Sequence, residues 1–462
     1  MIPTSFHPNS LTPASLNRLT ALLKSCLAAI TLLALGPAPP CQGQELKATA
    51  GAEVLLGESP GLAVTGLKPK ERVTLHSYRA ASASPRVLAH AYAEFEADSR
   101  GLVQVDTTPP IKGTYQGADP LGLLWSGEKM AWIDIGIKTS RSVVISLERG
   151  GVTVAASLTL QLTDGQDRVD VQDVAEAGLN GAFAKPKNAT APIPTIILLH
   201  GSNGGSTSEA RAPAIRFAQL GYAAFSLNYF SWTGLGGLPR ALVNIPIENL
   251  TAARAWLSRQ PGVTTDQVSV WGVSKGAEYA LVAAANLPWI HRVIACVPSS
   301  VVWSGFGRPP IPGELFSSWT VKGRSLPFIP YDNYDDVLSG RLSAGAVHRR
   351  SLAKLSNADR QAARIPLENT GARILLLGAT RDHVWPSGDM TRDIAATLRA
   401  AGKGEQLTAR VFEDASHFIC GTGEELQRIT PVVNPEGGNP SPEATARAAA
   451  QAWAETKRFL AR

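Results

Sequence analysis

The stretch Val268-Ser-Val-Trp-Gly-Val-Ser-Lys-Gly-Ala277 constrains this chain more than any other. A β-branched, apolar run ends in Gly-x-Ser-x-Gly, and a helix-forming run, Ala277–Asn286, follows at once. A strand that must reverse into a helix within a pentapeptide needs positions where a Cβ would strike neighbouring backbone, and Gly272 and Gly276 supply them. The turn lifts the Ser274 hydroxyl above the carboxyl edge of a sheet, at a helix N-terminus. The Lys275 N–H is then placed to face a developing oxyanion. The pentapeptide alone is common. Its strand–helix setting selects a nucleophile over a structural turn.

The surrounding grammar is α/β. Pro194–Leu199, Ala223–Leu227, Arg292–Val297, Arg373–Gly378 and Leu407–Phe412 are short, mostly apolar runs of the kind buried parallel strands show. Helical runs separate them over Arg211–Leu220, Glu248–Gln260 and Met390–Ala401, and Pro442–Leu460 closes the chain. Leu250, Ala253 and Leu257 fall on one helical face. Alternating strands and helices predict a doubly wound sheet, an α/β-hydrolase catalytic domain over 175–462. The stretch 303–370 breaks the rhythm with Pro, Gly and Trp and is expected to be a cap-like insertion. Residues 45–165 read differently. Arg72–Tyr78, His90–Phe95, Arg141–Leu147 and Val152–Leu160 are β-rich and parted by turns, which predicts an immunoglobulin-like β-sandwich of roughly seven strands.

A serine hydroxyl is a poor nucleophile without a base. The base should follow the last strand, where Glu413-Asp-Ala-Ser-His417 stands, and the orienting acid an earlier one, where Ala379-Thr-Arg-Asp-His383 stands. Ser274, Asp382 and His417 thus occur in α/β-hydrolase order. His383 is the rival base and Asp414 the rival acid. His200-Gly-Ser-Asn-Gly-Gly205 follows the first strand of this domain, where a second oxyanion N–H belongs. Ser202 is the first choice of donor there, beside Lys275, and Asn203 the second.

Residues 1–24 hold no acid and two basic residues, Arg18 and Lys24; an apolar run over Cys26–Leu35 follows, then Gly36-Pro-Ala-Pro-Pro40. This predicts a signal peptide over 1–43, cut after Gly43, and an exported (periplasmic or secreted) protein. No later run is long enough to span a bilayer, so no stable membrane insertion is expected. Cleavage leaves Cys296 and Cys420; an oxidising compartment permits a bridge between them, and the favoured reading of Cys296, in its apolar run, is a buried core residue. The chain has no CxxC pair and no Gly-Lys-Ser/Thr phosphate loop, so neither a metal nor a cofactor is expected. A net charge of +6 spread over 462 residues, with no long basic run, argues against nucleic acid as a partner.

These residues together resemble the acyl-CoA thioesterase / bile acid-CoA:amino acid N-acyltransferase family. The resemblance rests on Val64-Thr-Gly-Leu-Lys-Pro69, on Gly113-Thr-Tyr-Gln-Gly-Ala-Asp-Pro-Leu-Gly-Leu-Leu-Trp-Ser126, on Gly272-Val-Ser-Lys-Gly276, on Asp382-His-Val-Trp385, on Ser416-His417 and on Gly437-Gly-Asn-Pro440 with Ala452-Trp453. It implies a β-sandwich followed by an α/β-hydrolase domain, with the triad at Ser274, Asp382 and His417. It also implies a small acyl thioester or ester as substrate. The family's amino-acid-conjugating members carry cysteine at the elbow, so Ser274 implies hydrolysis. An exported carboxylesterase or acyltransferase on the same triad is the alternative, and a non-catalytic binding protein is the remaining one.

Overall fold

A computed structural model describes residues 45–83, 86–137, 139–307, 314–429, 432–434 and 438–461. The expected signal peptide over 1–43 lies outside them, as does part of the 303–370 insertion.

Two sheets form first. Glu45–Ala48, Leu62–Thr65 and Val103–Gln104 make one. Seven strands from Glu53–Leu55 to Val152–Thr163 make the other, with Arg72–Ala83 and Arg86–Glu96 at its centre. Period-2 alternation decides which face turns inward: Val73, Leu75 and Ser77 are buried, while Thr74 and His76 between them are only partly covered. Val54, Leu62, Val64, Phe95, Ile145 and Leu160 meet in the core the two sheets share. Ten strands occur here among the described residues, against roughly seven expected. The extra ones are two- to four-residue ladders such as Lys112–Gly113, too short to carry a periodic pattern.

The larger sheet has eight strands: β1 (Val169–Glu176), β2 (Leu179–Pro186), β3 (Ile193–Leu199), β4 (Ala223–Leu227), β5 (Val263–Val273), β6 (Ile290–Cys296), β7 (Arg373–Ala379) and β8 (Leu407–Phe412). Their order is β1-β2-β4-β3-β5-β6-β7-β8. β2 pairs antiparallel with β1 and β4, and the strands from β4 onward run parallel. This is an α/β-hydrolase sheet, and its carboxyl edge carries the loops that matter. β1 starts ahead of residue 175 because an antiparallel edge strand alternates instead of forming the apolar run that marks a buried parallel strand.

Helices α1 (Thr207–Ala218), α2 (Asn249–Leu257), α3 (Lys275–Asn286), α4 (Ala344–Lys354), α5 (Ser387–Ala400) and α6 (Pro442–Leu460) complete this part. α6 ties the molecule together. Its Ala446 sits in the core of the first two sheets, while Ala448, Ala452 and Trp453 pack with Phe217 and Leu377 of the large-sheet region. Polar links join the same two regions: Arg79 Nη1 donates to the Glu424 carbonyl at 2.8 Å, Gly57 N–H to Glu424 Oε2 at 3.1 Å, and Lys457 pairs with Glu58 at 2.6 Å.

Candidate active site

β5 ends at Val273 and α3 begins at Lys275, leaving Ser274 as the one-residue elbow. Its φ of 57° and ψ of −121° are strained for a residue with a Cβ. The close approach of backbone explains both glycines. A Cβ on Gly272 would stand 2.1 Å from the Gly276 carbonyl oxygen, and one on Gly276 2.3 Å from that of Leu199. The Ser274 N–H donates to the Cys296 carbonyl at 3.0 Å, which locks the elbow to β6.

Asp382 follows β7 and His417 follows β8, as the sequence predicts. The structure brings them into contact: His417 Nδ1 lies 2.9 and 2.8 Å from the two Asp382 carboxylate oxygens. Ser274, His417 and His383 line one cavity of about 950 Å³, together with Gly201, Ser202 and Asn203 and the apolar Phe418, Leu426, Val432 and Val433. A Ser274–His417 hydrogen bond is not among the contacts of the described residues; such bonds are often long before substrate binds.

Burial would raise the Asp382 carboxyl. The His417 charge and hydrogen bond, the Ser387 hydroxyl at 2.6 Å and the Val384 amide at 2.9 Å outweigh it and hold the carboxyl below its ordinary range. Ser387, on the first turn of α5, belongs to the constellation although no motif marked it. Of the rivals, Asp414 is exposed and paired with Arg381 at 3.2 Å, away from His417. His383 lines the cavity with its ring centre 6.1 Å from that of His417, and burial pushes its pKa down.

Lys275 projects away from the cavity into the core. Its Nζ donates to Glu278 Oε2 at 2.6 Å and lies 5.2 Å from the Trp319 ring centre. Burial drives both partners toward their neutral forms, lysine down and carboxyl up, and their mutual contact opposes it. Glu278 Oε1 also accepts from the Trp303 amide at 3.0 Å and from Trp319 Nε1 at 2.8 Å. The elbow helix is thereby tied to the insertion.

Cys296 is disulfide-bonded to Cys420 and is not a free core thiol. Cys296 ends β6 beside the elbow, and Cys420 lies in the loop just past His417, so loops that converge on one sheet edge bring together thiols 124 residues apart. Among the described residues no cluster of histidine, cysteine and carboxylate could hold a metal ion, and no helix is long and apolar enough to cross a membrane.

Two family models match the chain: "Acyl-CoA thioester hydrolase/BAAT N-terminal region" over residues 58–167, and "BAAT / Acyl-CoA thioester hydrolase C terminal" over 245–462. Acyl-coenzyme A thioesterase 1 of Mus musculus is 27% identical over 427 residues, covering 87% of this chain and 93% of its own. Acyl-coenzyme A thioesterase 5 of Mus musculus is 28% identical over 383 residues, covering 78% and 82%. Among solved structures, Pyrococcus horikoshii acylaminoacyl peptidase aligns with 74% of this chain and 52% of its own at 13% identity and a TM-score of 0.38, too loosely to support an argument.

Proposed function

Since the chain belongs to the acyl-CoA thioester hydrolase/BAAT family, we propose that it is a serine hydrolase cleaving acyl thioesters, acyl-CoA among them, through an acyl–Ser274 intermediate. The observation that carries this reading is the two-oxygen contact of Asp382 with His417 beside the cavity that both His417 and Ser274 line. Asp382 holds His417 Nδ1–H and leaves Nε2 free as a base. Ser274 Oγ attacks the thioester carbon, and His417 takes its proton. The Lys275 amide and the Ser202 amide, or that of Asn203, hold the oxyanion. The thiol leaves with the proton from His417. Water, deprotonated by His417, then attacks the acyl ester, and the free acid departs as Ser274 regains its proton. The largely apolar cavity wall, with Phe418 and Val433 more than half exposed, suits an acyl chain.

The test is turnover of an acyl-CoA series against p-nitrophenyl esters of the same acyl groups. Thioester cleavage with thiol release supports the reading; turnover of esters alone overturns it in favour of a carboxylesterase. The two-part division expected at 45–165 and 175–462 is kept as a proposal, with the second part starting at Val169, where β1 joins the large sheet. Our reading also puts the protein's work in an oxidising compartment after cleavage behind Gly43. The Cys296–Cys420 disulfide supports that location. N-terminal sequencing of protein from its own host should begin at Gln44, and cytosolic protein starting at Met1 would contradict it.

A further inference from the structure

His200 follows β3 and opens the Gly-rich loop 200–205, and no step of the proposed hydrolysis uses it. Its ring stacks on Tyr229, with 4.1 Å between centres and 4° between planes, and the Phe230 ring centre lies 5.3 Å away. Both ring nitrogens are engaged. Nδ1 lies 2.8 Å from the Gly201 carbonyl oxygen, and Nε2 lies 3.4 Å from the Tyr229 amide nitrogen. A carbonyl accepts and a backbone amide donates, so the ring is neutral and carries its proton on Nδ1. The Tyr229 hydroxyl donates to the His200 carbonyl at 2.7 Å, which clamps the backbone as well.

The Nδ1–H bond bears on catalysis through peptide geometry. The Gly201 carbonyl and the Ser202 N–H belong to one trans peptide and point in opposite directions, so fixing the carbonyl fixes the amide. The Gly204 N–H adds a longer bond to the same carbonyl, at 3.4 Å. The Ser202 N–H has no acceptor among the described residues, and Ser202 lines the cavity at Ser274. Gly201 packs beside the nucleophile: a Cβ there would stand 3.5 Å from Ser274 Cβ. The next peptide is held differently. The Ser202 carbonyl accepts from Trp232 Nε1 at 3.1 Å, and Trp232 is 44% exposed, so water competes for that bond.

We propose that His200 is a positioning residue that aims the Ser202 N–H at the oxyanion, making Ser202 rather than Asn203 the partner of the Lys275 amide. This rests on the serine-hydrolase reading and deepens it. His200 touches no reacting atom. It holds a donor in place before charge develops, which is the condition under which such a donor lowers a barrier.

The test is steady-state turnover of octanoyl-CoA and p-nitrophenyl octanoate by two variants that separate the hydrogen bond from the stack. His200→Phe keeps a ring against Tyr229 and deletes Nδ1–H. His200→Asn gives up the stack and places an amide N–H where Nδ1–H stood. His200→Phe should lower kcat by about 10- to 100-fold with KM nearly unchanged, and His200→Asn should keep most of kcat. An octyl trifluoromethyl ketone, whose adduct on Ser274 carries the oxyanion, should bind His200→Phe more weakly by the same factor, while octanoate binds it and the wild type alike. Melting curves would check folding, and His200→Leu repeats the deletion if His200→Phe does not fold. A merely structural ring gives the reverse order, His200→Phe near wild type and His200→Asn impaired; that result overturns the proposal and leaves the hydrolase reading standing. A larger loss of kcat in Trp232→Phe than in His200→Phe overturns it in favour of Asn203. Turnover that survives in Ser274→Ala, or a wild type that cleaves neither substrate, overturns both.

Discussion

The Ser387 hydroxyl donates to Asp382 Oδ2 at 2.6 Å, the same oxygen that His417 Nδ1 reaches at 2.8 Å. That bond fixes the acid's rotamer, so Ser387→Ala should lower kcat by roughly tenfold, with little change in KM and partial rescue by Ser387→Thr, measured by steady-state kinetics. Ser274→Ala and His417→Ala should each cost at least about 10³-fold, because removing a triad member leaves only oxyanion and binding effects. His383→Ala should be much milder. A reversed result would move the base to His383. Ser274→Cys should shift products from free acid toward the N-acyl amide when glycine or taurine is present, read by mass spectrometry, since amines attack acyl-cysteine thioesters more readily than acyl-serine esters. The contact of Asp382 with His417, the cavity that His417 shares with Ser274, and the elbow glycines follow from strand ends that apolar runs announce. Ser387 was not legible in sequence, since a serine at a helix start ordinarily reads as a cap.

α3 is held in place through its first turn. At its start the Ser274 N–H hangs on β6; along its buried face Lys275 and Glu278 bond each other, and Glu278 bonds two tryptophan donors from the insertion. Removing one partner strands the other in the core. Lys275→Met should therefore cost about 3–5 kcal/mol in urea unfolding, while Lys275→Met with Glu278→Leu should recover much of it. The i, i+3 spacing of this pair was visible in sequence; that it points inward was not, because lysine and glutamate on a helix normally face water. The disulfide acts on a second element, the loop past β8. Cys296→Ser with Cys420→Ser should cost about 2–4 kcal/mol and reduce kcat more than it raises KM, because the freed loop carries His417. The bridge escaped sequence reading because an apolar run around Cys296 suits a buried thiol equally well.

Across the whole molecule, three histidines buried to different degrees set the acid limit. Burial lowers His90, His200 and His348 to about 4, with His76 beside His90 adding to the effect. The unfolded chain protonates them near the ordinary histidine value, the folded one not until about pH 4. Stability is therefore present at neutral pH and falls as pH drops from about 6.5 toward 4, after which these groups add no further loss. Urea midpoints across that window should decline, and a flat profile would contradict the assignment. The parallel strands of the large sheet were legible from their apolar runs, and the bounds of Leu407–Phe412 and Pro442–Leu460 match the expectation. β1 and β2 were not: polar residues break up the apolar run in β1, and Asn180, Gly181 and alanines dilute it in β2, which lies between β1 and β4. The role of α6 in both cores was hidden as well: an alanine-rich face does not say what it packs against. The proposed hydrolysis rests on the covalent chemistry of Ser274. The most direct measurement is rapid-quench peptide mass spectrometry of the protein mixed with an acyl-CoA. A transient acyl group is expected on the peptide containing Ser274, gone once substrate is consumed. Full turnover with no acyl adduct there, or an adduct on another residue, would contradict it.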